Sequence, residues 1–186
     1  MTARKSEVAS QIPDGPMTVT LRRRSDPSSV ARRRQQRLTE RLETVAEGAN
    51  GDDLAELRTG HWSDRVRVPA AEGSAAVEAV TLYEELRAAV DEAGGRLHPF
   101  FQEHETLDSV EAADLTDGSR DGGERDIVFP VVCLTIRRRG RLTGVYPCWL
   151  DGDHHSVEDG LARLEAATDG VRRRTPAVSG DAENLW

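Results

Sequence analysis

The segment Ile127–Leu150, IVFPVVCLTIRRRGRLTGVYPCWL, decides the fold class. It gathers strand formers, both cysteines and a turn signal at Gly140, a pattern that predicts a β-hairpin. A two-residue turn at Gly140-Arg141 is type II′ and sets Cys133 opposite Cys148. A turn at Arg139-Gly140 sets Cys148 opposite Val131. Either turn holds an even number of residues, so both registers put the two sulfurs on one face. That face carries Ile127, Phe129, Val131, Cys133, Leu142, Tyr146, Cys148 and Leu150. The other carries Val128, Val132, Leu134, Ile136, Val145 and Trp149. A two-layer sandwich needs one apolar face, and here there are two. The expected cover is a second copy of the chain, giving a homodimer through the sheet. Cover from within the chain is the alternative.

Working outward, residues 1–15 read as a disordered lead and 169–186 as a polar tail, with a single domain over 16–168. Met17–Arg24 alternates and is β-branched, predicting a strand. Asp26-Pro27 reads as an N-cap followed by proline at the first helical position, opening a helix to about Glu47. Val30, Leu38, Leu42 and Val45 form its apolar face. Leu54, Ala55 and Leu57 read as a short helical piece and Trp62–Pro69 as a second strand. Ser74 caps a second helix that ends before Gly94-Gly95. A third strand begins at Arg96, and 109–125 reads as a mobile loop. After the hairpin, Ser156 caps a last helix with Leu161 and Leu164 facing inward. Asp159 stands where a capping box wants glutamate or glutamine. This order predicts an α+β fold, a ferredoxin-like or related two-layer sandwich, with a mainly antiparallel sheet and helices packed on one face.

Acidic residues outnumber basic ones by 33 to 25, for a net charge of -8, and Lys5 is the only lysine. Such a composition suits a high-salt cytoplasm, where charge repulsion is screened to about 3 Å at 1 M. No apolar h-region opens the chain, and the longest apolar run is too short for a membrane-spanning helix, so the expectation is cytoplasmic with no membrane partner.

One segment runs against the overall charge. Between Arg22 and Arg41, eight arginines face only Asp26 and Glu40, leaving the segment +6. Arg33, Arg37 and Arg41 recur every four residues as a stripe. Arg32, Arg33 and Arg34 sit near the positive end of the helix, where cations are disfavoured by about a few tenths of a kcal/mol. Arginines kept there suit an anion such as a nucleic-acid phosphate, so Arg32, Arg33, Arg34, Arg37 and Arg41 are the candidate DNA contacts. A solvated arginine face in a lysine-poor chain is the plainer reading, and Glu40, Glu43 and Glu47 favour it.

Catalytic motifs are missing: there is no G-x-S-x-G, no Walker loop and no G-x-G-x-x-G, and no cofactor is implied. The histidines are His61, His98, His104, His154 and His155, and no pair has zinc-finger spacing. Cys133, Cys148 and His104 are the weak metal candidates. The cysteines are more simply small buried hydrophobes.

Several segments carry a resemblance: RRRQQRLTERL from Arg32, WSDRV from Trp62, Ala79–Leu86 leading into LHPFF, then IVFPVVCL, GVYPC and VEDGLARLE. In these the chain resembles a group of small, uncharacterised haloarchaeal proteins, some of them labelled helix-turn-helix domain proteins. The resemblance implies no activity, ligand or catalytic residue. Under the label, Arg33, Arg37 and Arg41 are the residues that would meet DNA.

Three functions follow in order. The first is a non-enzymatic interaction or regulatory protein of a halophile. The second is a DNA-binding transcriptional regulator using the arginine-rich helix, and the third a metal- or redox-responsive protein. The halophile reading predicts that dialysis into low salt unfolds the protein, as followed by far-UV circular dichroism. A fold unchanged at low salt would leave the bias of a GC-rich genome as the source of the arginines.

Overall fold

A computed structural model describes residues 17–49, 54–70, 75–105 and 124–172. In chain order the elements are β1 (Met17–Arg24), α1 (Ser29–Gly48), β2 (Leu54–Trp62), β3 (Arg65–Val68), α2 (Ala75–Glu92), β4 (Gln102–Glu105), β5 (Arg125–Val128), β6 (Val132–Arg138), β7 (Arg141–Tyr146), β8 (Cys148–Leu150), β9 (Asp153–His155) and α3 (Val157–Arg172). They form a four-stranded sheet in the order β2-β1-β6-β7, a three-stranded sheet β3-β5-β4 and the small β8-β9 hairpin. Among the described strands only β1 and β2, joined through α1, pair in parallel; the other pairs are antiparallel. The protein is α+β, as the order of elements implied. The expected disordered lead, and most of the expected loop and tail, lie outside the described residues.

The hairpin turns at Arg139-Gly140, where both residues have positive φ, 51° and 79°. That is the type I′ requirement, not the type II′ turn at Gly140-Arg141. Its ladder then slips. Arg137 pairs with Leu142 and Ile136 with Gly144, leaving Thr143 as the extra residue of a bulge. A one-residue slip exchanges the faces of every side chain beyond it. Val145 therefore joins Cys133, and Tyr146 crosses to the side of Leu134, the reverse of the expected assignment. Pro147 then ends the ladder. Cys148 pairs with His155 in β8-β9, opposite neither Cys133 nor Val131, yet returns to the Cys133 side. Ile127 and Val128 belong to β5 in the second sheet, so the apolar segment is three pieces and not one hairpin.

Every residue of β6 from Val132 to Ile136 is buried, which requires cover on both faces. On one face Leu38, Leu42 and Val45 of α1 and Val157, Leu161 and Leu164 of α3 pack on Met17, Val19, Leu21, Val132, Leu134 and Ile136. On the other, Tyr83, Leu86 and Val90 of α2 meet Cys133, Val145 and the second sheet. Trp62, Phe101 and Phe129 anchor that side, with ring centroids 4.9 to 6.0 Å apart. Trp62 Nε1 donates to the Pro130 carbonyl at 3.1 Å, so its polar edge is satisfied in the core. Helices thus lie on both faces of the sheet, not one. The apolar surface that pointed to a homodimer is covered from within the chain.

Local structure follows the sequence with a few corrections. Ser28, not Asp26, caps α1, its Oγ accepting from the Ala31 N–H. Val30 is 68% exposed, and Gln35 takes the inward position expected of Val30. The Gln35 amide donates to the carbonyls of Arg24 and Val131, both at 3.0 Å, tying α1 to the end of β1 and the approach to β6. Leu54 and Leu57 lie in a strand, because parallel pairing with β1 overrides their helix propensity. The second and third strands are shorter than expected, and Ser74 lies outside the described residues. At α3, Asp159 completes the capping box despite being one methylene short. Its carboxylate accepts from the Ser156 N–H at 2.7 Å, and its own N–H donates to Ser156 Oγ at 3.1 Å.

Gly160 explains how Tyr146 fits under α3. A Cβ there would stand 2.6 Å from the Tyr146 ring. Gly160→Ala should gain helix propensity of about 1 kcal/mol. The clash should outweigh it, giving a net destabilisation of about 1–2 kcal/mol by urea denaturation. A more stable variant would mean that the ring shifts freely.

Candidate nucleic-acid interface

α1 is held to the sheet by Leu38, Leu42 and Val45, so its opposite side faces solvent. No acidic residue lies in its first turn. Ser28 Oγ takes one N–H there, and no carboxylate of the first turn offsets the positive potential of the rest.

The five candidate arginines divide into two sets. Arg34 forks onto Glu158 of α3, Nε to Oε1 at 3.0 Å and Nη2 to Oε2 at 2.9 Å. Arg41 forks onto Glu165 the same way, both bonds at 2.6 Å. The seven-residue step from Arg34 to Arg41 matches the step from Glu158 to Glu165, so the two helices run side by side in the same direction. Each pair is more than a third exposed, and is worth at most about 1 kcal/mol after solvent screening. Their larger effect is on orientation, since a bidentate fork fixes both side chains. The expected Arg33-Arg37-Arg41 stripe is therefore broken, with Arg41 turned onto α3.

Arg32, Arg33 and Arg37 form the second set. All three are exposed. None of their side chains makes an ion pair or hydrogen bond within the described residues, in contrast to Arg34 and Arg41. Arg33 and Arg37 border a shallow depression with Val30, Gln36 and Glu40. Glu40 accepts from the Gln36 amide at 2.9 Å and not from either arginine.

The arginines of β1 serve the fold. Arg24 donates to the Phe129 carbonyl and Arg23 to Thr39 Oγ1 at 3.3 Å. Burial pulls the Arg22 guanidinium below its ordinary pKa, against the raising effect of nearby Glu85.

The metal candidates lie apart from this surface. Cys133 and Cys148 are free and buried in the α2-side core. Burial pushes the Cys133 thiol up to about 12 and raises that of Cys148, so neither is a thiolate near neutral pH. His104 is exposed on β4, its Nε2 3.2 Å from Gln102 Oε1. Among the described residues no three His, Cys, Asp or Glu side chains gather as a metal site. No described helix is long and apolar enough to cross a membrane.

Sequence reasoning found the basic helix but missed Glu158 and Glu165. The signal was present in the matching seven-residue spacings. Among the described residues, consecutive helices are always separated by strands, so no directly connected two-helix motif is present there.

The family model described as a helix-turn-helix domain matches residues 11–169. No curated protein and no solved structure matches the chain.

The pairing of α1 with α3 gives a signed pH dependence. The hydrogen bonds from Arg34 and Arg41 hold the Glu158 and Glu165 carboxyls below their ordinary pKa. Their stabilisation is complete above the unfolded value of about 4.3 and is lost as pH falls through the lower folded values. In thermal melts at falling pH, Glu158→Gln/Glu165→Gln should therefore lose stability less steeply than the parent below about pH 4.3. Parallel curves would show that the forks contribute nothing.

Proposed function

This chain belongs to the helix-turn-helix domain family, and we propose that it is a non-enzymatic regulator that binds DNA through the exposed arginine face of α1. The observation that carries this reading is that Arg32, Arg33 and Arg37 form no ion pair with any described carboxylate, Glu40 beside them being bonded to Gln36, in a chain of net charge -8. Acidic partners were abundant, and Arg34 and Arg41 on the same helix have them. Unneutralised guanidiniums at the positive end of a helix suit phosphate, whose oxygens accept the planar fork bidentately.

The dimensions agree. α1 has 20 residues, so it is about 30 Å long and slim enough for a major groove about 12 Å wide. Arg32, Arg33 and Arg37 lie in its N-terminal half. Exposed Val30 lies in the same half and offers an apolar contact of the kind a thymine methyl accepts. Arg34 and Arg41 then fix the helix on α3 and leave the other three free to reach the duplex. The acidic remainder of the surface repels DNA, which confines contact to this face. The acidic, lysine-poor composition further suits work in high salt, where the few phosphate contacts would be strongly weakened and base contacts would have to supply more of the affinity.

Fluorescence anisotropy of a labelled duplex across a salt series tests the proposal. Arg32→Ala/Arg33→Ala/Arg37→Ala should weaken binding and flatten the slope of log K against log salt by about 0.9 for each phosphate no longer neutralised. Arg141→Ala, an exposed change on β7 far along the chain from α1, should leave the slope unaltered. An unaltered slope in the triple variant would remove α1 as the interface.

A further inference from the structure

Between the last turns of α2, the edge strand β7 and the start of α3 lies a cavity of about 160 Å³. Its volume is close to the roughly 150 Å³ of an apolar cavity that takes benzene. The walls are mostly apolar: Ala89 on α2, Ala93 in the turn just past its end, Leu142 and Val145 on β7, and Leu150 on β8. The two alanines lie one helical turn apart and keep that wall shallow.

One end of the cavity is polar. Arg163 of α3 donates to Tyr146 Oη at 3.2 Å, and its other terminal nitrogen lies 3.3 Å from His155 Nδ1. Its guanidinium also stands 5.9 Å over the Tyr146 ring. Both polar contacts are long for a charged donor, and both partners are side chains without a carboxylate. A guanidinium has five N–H donors, so most remain open among the described residues. The natural ion-pair partner would be Asp159, one turn earlier on the same helix. Asp159 is committed to Ser156 as the cap of α3. Glu165, two residues on, is committed to Arg41. Among the described residues, the arrangement leaves an oriented guanidinium with no carboxylate partner at the mouth of an apolar cavity. Gly160 contributes by letting the Tyr146 ring seat under α3, which presents its hydroxyl to Arg163.

We propose that this cavity binds a small carboxylate with an apolar body about the size of a benzene ring. The apolar part would fill the space between α2 and β7. The carboxylate would take the free donors of Arg163, with Tyr146 and His155 holding the guanidinium in place. A phosphate is a poorer fit, since a second negative charge would meet no second cation there. None of these residues lies in α1, so the proposal does not depend on DNA binding.

An NMR titration of the ¹⁵N-labelled full chain tests it, with benzoate as the probe and benzyl alcohol as its neutral counterpart. Benzoate should shift the amides of Thr143, Gly144 and Arg163, and benzyl alcohol should bind about tenfold more weakly or worse, for want of a charge-assisted pair. Ala89→Leu fills the cavity from a half-buried position and should abolish the benzoate shifts while the rest of the spectrum stays folded. Arg163→Gln, a surface change that leaves the core intact, should bring the two probes to equal affinity. Benzoate shifts that are missing, that fall elsewhere, or that persist in Ala89→Leu would overturn the proposal. So would an undiminished preference for benzoate in Arg163→Gln, which also covers the case in which Ala89→Leu fails to fold.

Discussion

Burial of β6 on both faces is the constraint from which the rest of the structure follows. Five successive residues, Val132 to Ile136, are removed from water, and a strand of that kind needs a layer on each side. One layer is the α1-α3 pair and the other is α2 with the second sheet. Once α1 is pinned to the first layer by Leu38, Leu42 and Val45, its outer face can only look to solvent or to α3. The arginines of α1 then sort by angle. Arg34 and Arg41 meet α3, while Arg32, Arg33 and Arg37 do not.

The acidic residues of the chain are placed in an orderly way. Glu158 and Glu165 hold α1 to α3. Glu84 and Glu103 join Arg87 and Arg125, which ties α2 to the second sheet. Glu85 takes Arg137 and so fastens α2 to the main sheet. Where a carboxylate is withheld from an arginine, the local structure gives it another partner: Glu40 turns to Gln36, and Asp159 to Ser156. Both cases stand beside an exposed guanidinium, one on the face of α1 and one at the mouth of the cavity at Arg163. Both functional proposals rest on that pattern.

Much of this was legible in the sequence because it is local. β1 runs from Met17 to Arg24 as its alternation implied, and Leu38, Leu42, Val45, Leu161 and Leu164 face inward as their spacing implied. What failed depended on distant partners. Leu54 and Leu57 look helical until β1 supplies a parallel neighbour. The faces of Val145 and Tyr146 are reversed by one extra residue at Thr143, which no periodicity announces. Pro130 and Pro147 divide the apolar segment among three ladders. That apolar residues occupy both faces was read correctly, though not which residues lie on each, and the sequence could not say that α2 would cover the second. At the interface, the arginine-rich helix was visible while the division of its arginines was not, because that division is made by residues more than a hundred positions away.

Which arginines of α1 meet DNA is the deciding question. NMR of the arginine side-chain Nε–Hε groups during addition of a duplex reads this directly. The signals of Arg32, Arg33 and Arg37 should shift together, while those of Arg34 and Arg41 stay on Glu158 and Glu165. Shifts confined to arginines outside α1, or release of Arg34 and Arg41 from α3 with the other three unmoved, would contradict it.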